Sequence, residues 1–368
     1  MIRVLHVVTD MRRGGLETML MNYYRAIDRK SIQFDFLEHR SEESEYDREI
    51  KKMGGEIYRI SRLNPFSVRY KSALRGFFEE HSEYQIVHVH QDCLSSIILK
   101  EAKRCGLKVR IAHSHSSNQD KNLKLLIKLY YKRKIANYAT DLLACSQEAG
   151  KWMFCGNDFQ VLNNAIDAKK YVYSSKIRES VRKQFEISED TLVIGHVGRF
   201  CYPKNHTYLL EIFKKISDQR EAVLLLIGDG ELRNEIENKI FRLKLEEKVI
   251  LTGVRSDVSD LLQAMDVFVF PSLYEGLPVT IIEAQAAGLP CLISDKVPIE
   301  CKKTDLVHQT SLEKDATYWA NEAIMVSNIE RKNMLKEIQT SGFDIGENAK
   351  KLADYYMNKA KEKFETKR

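Results

Sequence analysis

The chain predicts an α/β protein built from two doubly wound domains with parallel sheets. Three observations carry this. Short β-branched runs alternate with helical patterns, the second half repeats the alternation of the first, and the rhythm breaks near residues 165–190, across AIDAKKYVYSSKIRES. Strands separated by helices form parallel sheets covered on both faces, and 368 residues exceed what one hydrophobic core serves. In order, IRVLHVV (2–8), FDFLE (34–38), IVHVH (86–90), VRIAHSH (109–115) and DLLACS (141–146) read as strands, with helical stretches at 15–27, 70–80 and 122–139 between them. LVIGHVG (192–198), AVLLLIGDG (222–230), VILTG (249–253), VFVF (267–270) and PCLIS (290–294) continue the series. The expected units are 1–168, 169–344 and a last segment 345–368. In open sheets of this kind ligands bind beyond the carboxyl ends of the strands, so a site is expected there, in the cleft between two facing domains.

Composition narrows the function classes. With 43% hydrophobic and 30% charged residues the chain is neither disordered nor fibrous. The start, MIRVLHVV, lacks the apolar region and cleavage site of a secretory leader, and no run reaches the ~18 apolar residues of a membrane span. Seven scattered cysteines without a C-x-x-C pair read as free thiols in a reducing cytoplasm, not as a disulfide framework or zinc site. The net charge of +6 is uneven: residues 1–170 hold 29 Lys+Arg against 21 Asp+Glu, and the remainder is net −2. A basic first half points to an anionic partner. No aromatic-basic motif of the single-strand-binding type is present, so nucleic acid is not expected. At ~100° per residue, Lys121, Lys124, Lys128 and Lys132 fall within about 80° of one another, opposite Leu123, Leu126, Ile127 and Tyr130. Such a helix turns its apolar face into the core, lies near anionic lipid headgroups, or does both, since the two readings are compatible.

The chemistry concentrates in PSLYEGLPVTIIEAQAAGLP (271–290). The strand VFVF ends at Pro271, SLYEG is a loop, and Pro278 suits the first turn of a helix that Gly288 terminates. Gly276, Leu277, Val279 and Thr280 therefore lie at a helix start, where backbone N–H groups and the helix dipole receive phosphate. Glu275 precedes this anion site, and Glu283 sits about a turn and a half into the helix, placed to accept hydrogen bonds from a diol. In GHVGRFCYPKNH (195–206), Gly195 and Gly198 permit close approach after a strand, and Arg199 and Lys204 suit a diphosphate without metal. There is no Asp-x-Asp pair in a strand-end setting. Gly14 and Gly15 stand between the first strand and first helix, another possible oxyanion contact, without the G-x-G-x-x-G fingerprint.

Together, RGG near residue 13, GR-x4-KN at 198–205, IGDGEL at 227–232, LTGVRSDV at 251–258 and E-x7-E at 275–283 resemble the retaining glycosyltransferases of family 4, and the whole resembles transferases of capsular and exopolysaccharide assembly. The motifs span nearly the whole chain in family order. The resemblance implies the GT-B fold, two Rossmann-like domains, with 1–168 binding the acceptor, 169–344 binding a sugar nucleotide, and a helix at 345–364 crossing back to the first domain. It implies that Glu283 binds the nucleotide ribose, Glu275 contacts the donor sugar, Arg199 and Lys204 bind the diphosphate, Val254 and Arg255 flank the base, and the backbone from Gly276 to Thr280 holds sugar and phosphates. Members carry a His facing the reacting sugar. His113 and His115 share one face of their strand; His115, nearer the strand end, is the expected residue, while His88 and His90 are expected to be structural. Family members often read Asn-Gly where this chain has Asn163 and Asn164, which leaves the interdomain turn open.

The expected activity is thus retaining transfer from a nucleotide-sugar, a UDP-sugar, through front-side attack with an oxocarbenium-like state. The acceptor is a polyprenyl-diphosphate-linked saccharide, and neither metal nor other cofactor is expected. The location is cytoplasmic, peripheral to the inner face of the plasma membrane. The alternative is a non-catalytic sugar-nucleotide-binding partner of another transferase. A glycoside hydrolase using the two glutamates would leave Arg199 and Lys204 beside a glycine turn without a purpose. Lys204→Ala is expected to cut turnover with little change in folding.

Overall fold

A computed structural model describes residues 1–116 and 125–365. Lys121, Leu123 and Lys124 of the basic stretch lie outside the described residues. The chain forms two compact units, one comprising Met1–Ala165 with the segment from Ile345 onward, the other Ile166–Asp344.

In the first unit the strands are β1 (Ile2–Val8), β2 (Ile32–Glu38), β3 (Ile57–Arg59), β4 (Ile86–Val89), β5 (Val109–Ser114), β6 (Asp141–Ala144) and β7 (Gln160–Val161). They lie in the order β3-β2-β1-β4-β5-β6-β7, parallel throughout. All seven residues of β2 are buried, so its one carboxylate facing Arg3 needs satisfying: Asp35 accepts from Arg3 Nε at 2.7 Å and from Tyr84 Oη at 2.8 Å. One core cluster unites Tyr23 and Tyr24 of helix Gly15–Ala26, Phe34 and Phe36 of β2, and Tyr356 of helix Ile345–Glu365. Tyr356 is wholly buried, and burying a ring of this size contributes roughly 2–3 kcal/mol. It is one tether of the C-terminal helix to this unit; the ion pair of Lys359 with Asp141, at 2.7 Å, is another.

The second unit contains β8 (Leu192–Val197), β9 (Ala222–Ile227), β10 (Val249–Leu251), β11 (Val267–Phe270), β12 (Cys291–Ser294) and β13 (Val307–Thr310), in the order β10-β9-β8-β11-β12-β13 and again parallel. In each sheet the strand order reverses beside the unit's first strand, between β1 and β4 and between β8 and β11. Ligands of doubly wound sheets bind at this switch point.

Three strands escape the sequence pattern: β3, β7 and β13, all at sheet edges. They have two to four residues, and both residues of β7 are exposed, so none carries an apolar run. The stretch at 122–139 is two helices where described, Leu125–Lys132 and Ile135–Tyr138. The break lets Ile135 turn into the core, whereas no side chain of the preceding helix is buried. Asn164 is absent from the positive-φ residues, so the position that is glycine in similar sequences has no left-handed requirement here.

Candidate active site

Four loops of the second unit, each leaving the carboxyl end of a neighbouring strand, are stitched together by backbone hydrogen bonds. Gly198 N donates to Ile227 O, Phe200 N to Asp229 O and Leu232 N to Phe200 O, each at 3.0 Å. Gly228 N donates to Gly253 O at 3.0 Å, and Leu273 N to Pro203 O at 2.8 Å. The segments following β8, β9, β10 and β11 are thereby one surface, and they are the four segments that carry GR-x4-KN, IGDGEL, LTGVRSDV and E-x7-E.

Gly228 holds the stitching. Its φ is +139°, and a Cβ there would run into the carbonyl of Gly198. Gly228→Ala is expected to lower stability by on the order of 3 kcal/mol through backbone strain and overpacking. Chemical denaturation checks this; an unchanged midpoint would mean the loops tolerate separation.

Lys204 ends a short 3₁₀ turn, Tyr202–Lys204, and Asn205 follows in the left-handed region, φ 55°, as the cap of helix His206–Ser217. Asn205 Nδ2 donates to Pro271 O at 3.1 Å, which fixes the turn against the end of β11. The Lys204 ammonium lies 4.6 Å from the Phe270 ring centroid and donates to Glu275 Oε1 at 2.7 Å. Both side chains are mostly buried, at 17% and 12% exposure. Arg199 is 71% exposed and meets Glu231 at 3.0 Å, a surface pair that binds its cation weakly.

The helix Val279–Ala286 starts at Val279, with Pro278 at its cap and no side-chain cap hydrogen bond. Gly288, φ +64°, closes it as expected. Gly276, Leu277 and Val279 are buried, and Thr280 Oγ1 is a buried hydroxyl without a hydrogen-bond partner. Glu283 accepts from Tyr171 Oη at 2.7 Å, and burial pushes its carboxyl up to about 6. Tyr171, at the end of the 3₁₀ turn Ala168–Tyr171, was not foreseen: it lies in the segment where the sequence pattern is weakest. Val254 is exposed, and Arg255 forks onto Asp257 at 2.6 and 2.8 Å.

Gly195 requires a correction. It sits inside β8, and the space of its missing Cβ is filled by the Met265 side chain; it serves strand packing, not ligand approach. Gly198 lies at the loop, with Lys204 Cδ and Cε 3.4 Å from where its Cβ would stand. Beneath the loop His196 packs on Phe268 and Phe270 and faces Val269 O through Nδ1 at 2.9 Å. Burial lowers His196 to about 4 and His206 to about 2, so both are neutral and the positive charge of the GR-x4-KN loop comes from Lys204 and Arg199.

The first unit holds the remaining candidates. Gly14 is the extended cap of helix Gly15–Ala26, without a side-chain cap, and a Cβ on Gly15 would meet only open space. His115 follows β5 and keeps some exposure, whereas His113 is buried. His115 Nε2 lies 2.8 Å from His90 Nδ1. His88 and His90 therefore belong to a histidine cluster with His6, His113 and His115. Three sequence segments contribute to it, and only the order β1-β4-β5 makes them neighbours.

Two Rossmann-like sheets with strand-end loops bearing these motifs define a GT-B glycosyltransferase, and comparison with known proteins agrees. Residues 13–170 match the family model Glycosyltransferase Family 4, and residues 177–302 match Glycosyl transferases group 1. The chain belongs to glycosyltransferase family 4. It is 35% identical to EpsF of Bacillus subtilis (strain 168), which carries a glycosyltransferase name, over 96% of each chain. It is 28% identical to the UDP-Gal:alpha-D-GlcNAc-diphosphoundecaprenol alpha-1,3-galactosyltransferase of Escherichia coli, over 75% of this chain and 76% of that one. The capsular polysaccharide biosynthesis glycosyltransferase CapH of Staphylococcus aureus is 22% identical, over 98% and 99%. Among solved structures, Anabaena HepE in complex with UDP and glucose superposes with a TM-score of 0.78 at 16% identity, over 97% of this chain and 100% of that one.

Proposed function

We propose that the protein transfers a sugar, with retention, from a UDP-sugar to a polyprenyl-diphosphate-linked saccharide during cell-surface polysaccharide synthesis. The observation that carries this is the Lys204–Glu275 pair, held at 2.7 Å where four motif-bearing loops meet. In the donor-free protein Glu275 occupies the ammonium. An arriving diphosphate competes for Lys204 and frees Glu275 to hydrogen-bond the donor sugar. Arg199, weakly held at the surface, supplies a second cation, so a divalent metal is not needed at the diphosphate. The amides from Gly276 to Thr280 and the unpartnered Thr280 hydroxyl receive phosphate and sugar oxygens. Glu283 binds the ribose diol, Val254 and Arg255 border the base, and Gly14, Gly15 and His115 belong to the acceptor-binding unit, where His115 faces the reacting sugar. The chemistry of the Escherichia coli relative, named for UDP-Gal and a diphosphoundecaprenol acceptor, supports the choice of donor base and acceptor class, and the name of CapH supports the polysaccharide context.

The protein works at the cytoplasmic face of the membrane. No described helix is long and apolar enough to cross a membrane. On helix Leu125–Lys132, however, Leu126 and Tyr130 are 79% and 54% exposed, on the same helix as Lys128 and Lys132. An exposed apolar strip on a helix whose opposite face carries lysines favours lying in a layer of anionic headgroups.

Calorimetric titration with UDP, GDP and ADP, each with and without EDTA, tests the donor site. UDP is expected to bind preferentially and equally in EDTA. GDP or ADP preference would change the donor base, loss of binding in EDTA would restore a metal to the diphosphate, and no binding at all would remove the sugar-nucleotide reading.

A further inference from the structure

Three histidines of the first unit's cluster bring their ring nitrogens to a spacing that can hold a metal ion. His90 stands immediately after β4, and His113 and His115 stand at the end of β5 and just beyond it. One ring nitrogen from each of the three lies within 4.8 Å of the others. Tetrahedral zinc, with Zn–N of about 2.0–2.1 Å, places its nitrogens at separations inside that limit. His90 Nδ1 and His115 Nε2, 2.8 Å apart, need only open slightly to admit an ion.

The surrounding hydrogen bonds point the lone pairs inward. His90 uses its other nitrogen, Nε2, toward His6 Nδ1 at 3.1 Å. His113 uses Nδ1 toward His88 Nε2 at 3.2 Å, and His88 Nδ1 in turn faces Tyr356 Oη at 2.7 Å. One consistent set of tautomers satisfies the whole chain: His90 donates to His6, His113 donates to His88, and His88 donates to Tyr356. His90 and His113 then each donate their single N–H to a fixed acceptor, as metal-bound histidines do, and each keeps an unprotonated nitrogen for coordination. His113 Nε2 is buried without a hydrogen-bond partner, at a cost that coordination removes. His115, the partly exposed member, gives an ion a way in.

We propose that His90 Nδ1, His113 Nε2 and His115 Nε2 bind one Zn²⁺ ion, with His6, His88 and Tyr356 orienting the ligands and a fourth position open to water or an anion. Three neutral imidazoles select a borderline-soft divalent cation over Mg²⁺ or Mn²⁺, which prefer oxygen. None of these histidines belongs to the diphosphate site proposed above, but His115 is shared with the sugar-facing role given there: an Nε2 that coordinates zinc cannot also contact the donor sugar, so the two roles belong to the metal-bound and metal-free forms.

The test uses full-length chain without a histidine tag, stripped with EDTA, dialysed free of chelator and titrated with Zn²⁺ and, separately, Co²⁺. One Zn²⁺ per chain is expected at micromolar or tighter affinity, with a raised melting temperature. The Co²⁺ form is expected to show four-coordinate visible bands without thiolate charge transfer. His113→Gln and His115→Gln are each expected to weaken Zn²⁺ binding at least tenfold, and His81→Gln, at a surface histidine of the same unit, to leave it unchanged. His115 is partly exposed, so His115→Gln remains informative if His113→Gln fails to fold. Absence of stoichiometric binding, thiolate bands from the free cysteines, or affinity unchanged in His115→Gln would overturn the assignment and leave the cluster a hydrogen-bonded imidazole chain.

Discussion

Replacing Lys204 with methionine is expected to lower turnover roughly 10²–10³-fold, the loss typical of removing one donor that stabilises developing negative charge. In the transfer proposed above the leaving nucleoside diphosphate gains charge as the glycosidic bond breaks, and the Lys204 ammonium is fixed where four strand-end loops meet. Arg199, 71% exposed and paired with Glu231 at the surface, lacks that fixed position and does not compensate. Initial-rate measurements of UDP release with saturating acceptor read the effect directly. Rates near wild type would remove Lys204 from the mechanism.

The same substitution carries a stability consequence that sequence alone does not reveal. Glu275 is only 12% exposed, and Lys204 is its partner at 2.7 Å. A carboxylate left there without a cation costs about 1–3 kcal/mol, so the Lys204→Met melting temperature should fall by several degrees. Adding Glu275→Gln removes the charge that Lys204 balanced; the double variant should regain the melting temperature while turnover stays low. Recovery of both would show that the single variant failed through folding and that Lys204 has no chemical role.

How much of this was legible beforehand depended on the range of the interaction. The fold followed from the alternation of apolar runs with helical periodicity, because burial on both faces forces hydrophobic strands wherever the sheet is central. The edge strands β3, β7 and β13 carried no such constraint and no such signal. Among the candidate site residues, the proximity of Glu275, Thr280 and Glu283 was readable because one strand–loop–helix segment contains them, and local turn chemistry orders that segment. Tyr171 was not, because its bond to Glu283 spans 112 residues and lies where the periodicity fails. Gly195 misled for a related reason: a glycine that admits a ligand and one that admits Met265 look identical in a string. The histidines show the limit most clearly. The pairs at 88 and 90 and at 113 and 115 are visible as alternations, but their union with His6 is a product of sheet order.

Glu283→Gln is expected to stabilise the protein at neutral pH while weakening UDP. In the unfolded chain this carboxyl titrates near 4.5; burial raises it to about 6 in the fold. Between those values the folded protein holds a proton that the unfolded chain has released. The stability this contributes is fully present below pH 4.5 and is lost as pH rises through 6. Above that the native state keeps a buried carboxylate at a cost of about 2 kcal/mol. A glutamine avoids the charge and still accepts from the Tyr171 hydroxyl. In a unit of this size the gain corresponds to roughly 4–8 °C in melting temperature at pH 8, disappearing toward pH 4.5. On the proposed ribose contact, an ionised acceptor holds a diol more strongly than an amide does by roughly 0.5–2 kcal/mol, which is about 2–30-fold in UDP affinity. Wild-type affinity for UDP should therefore climb between pH 5 and pH 7 as Glu283 ionises, and the climb should be absent in Glu283→Gln. If the variant binds UDP as the wild type does at pH 8, the buried charge has no part in nucleotide recognition. If the pH-dependent climb persists in the variant, the titrating group lies elsewhere in the site.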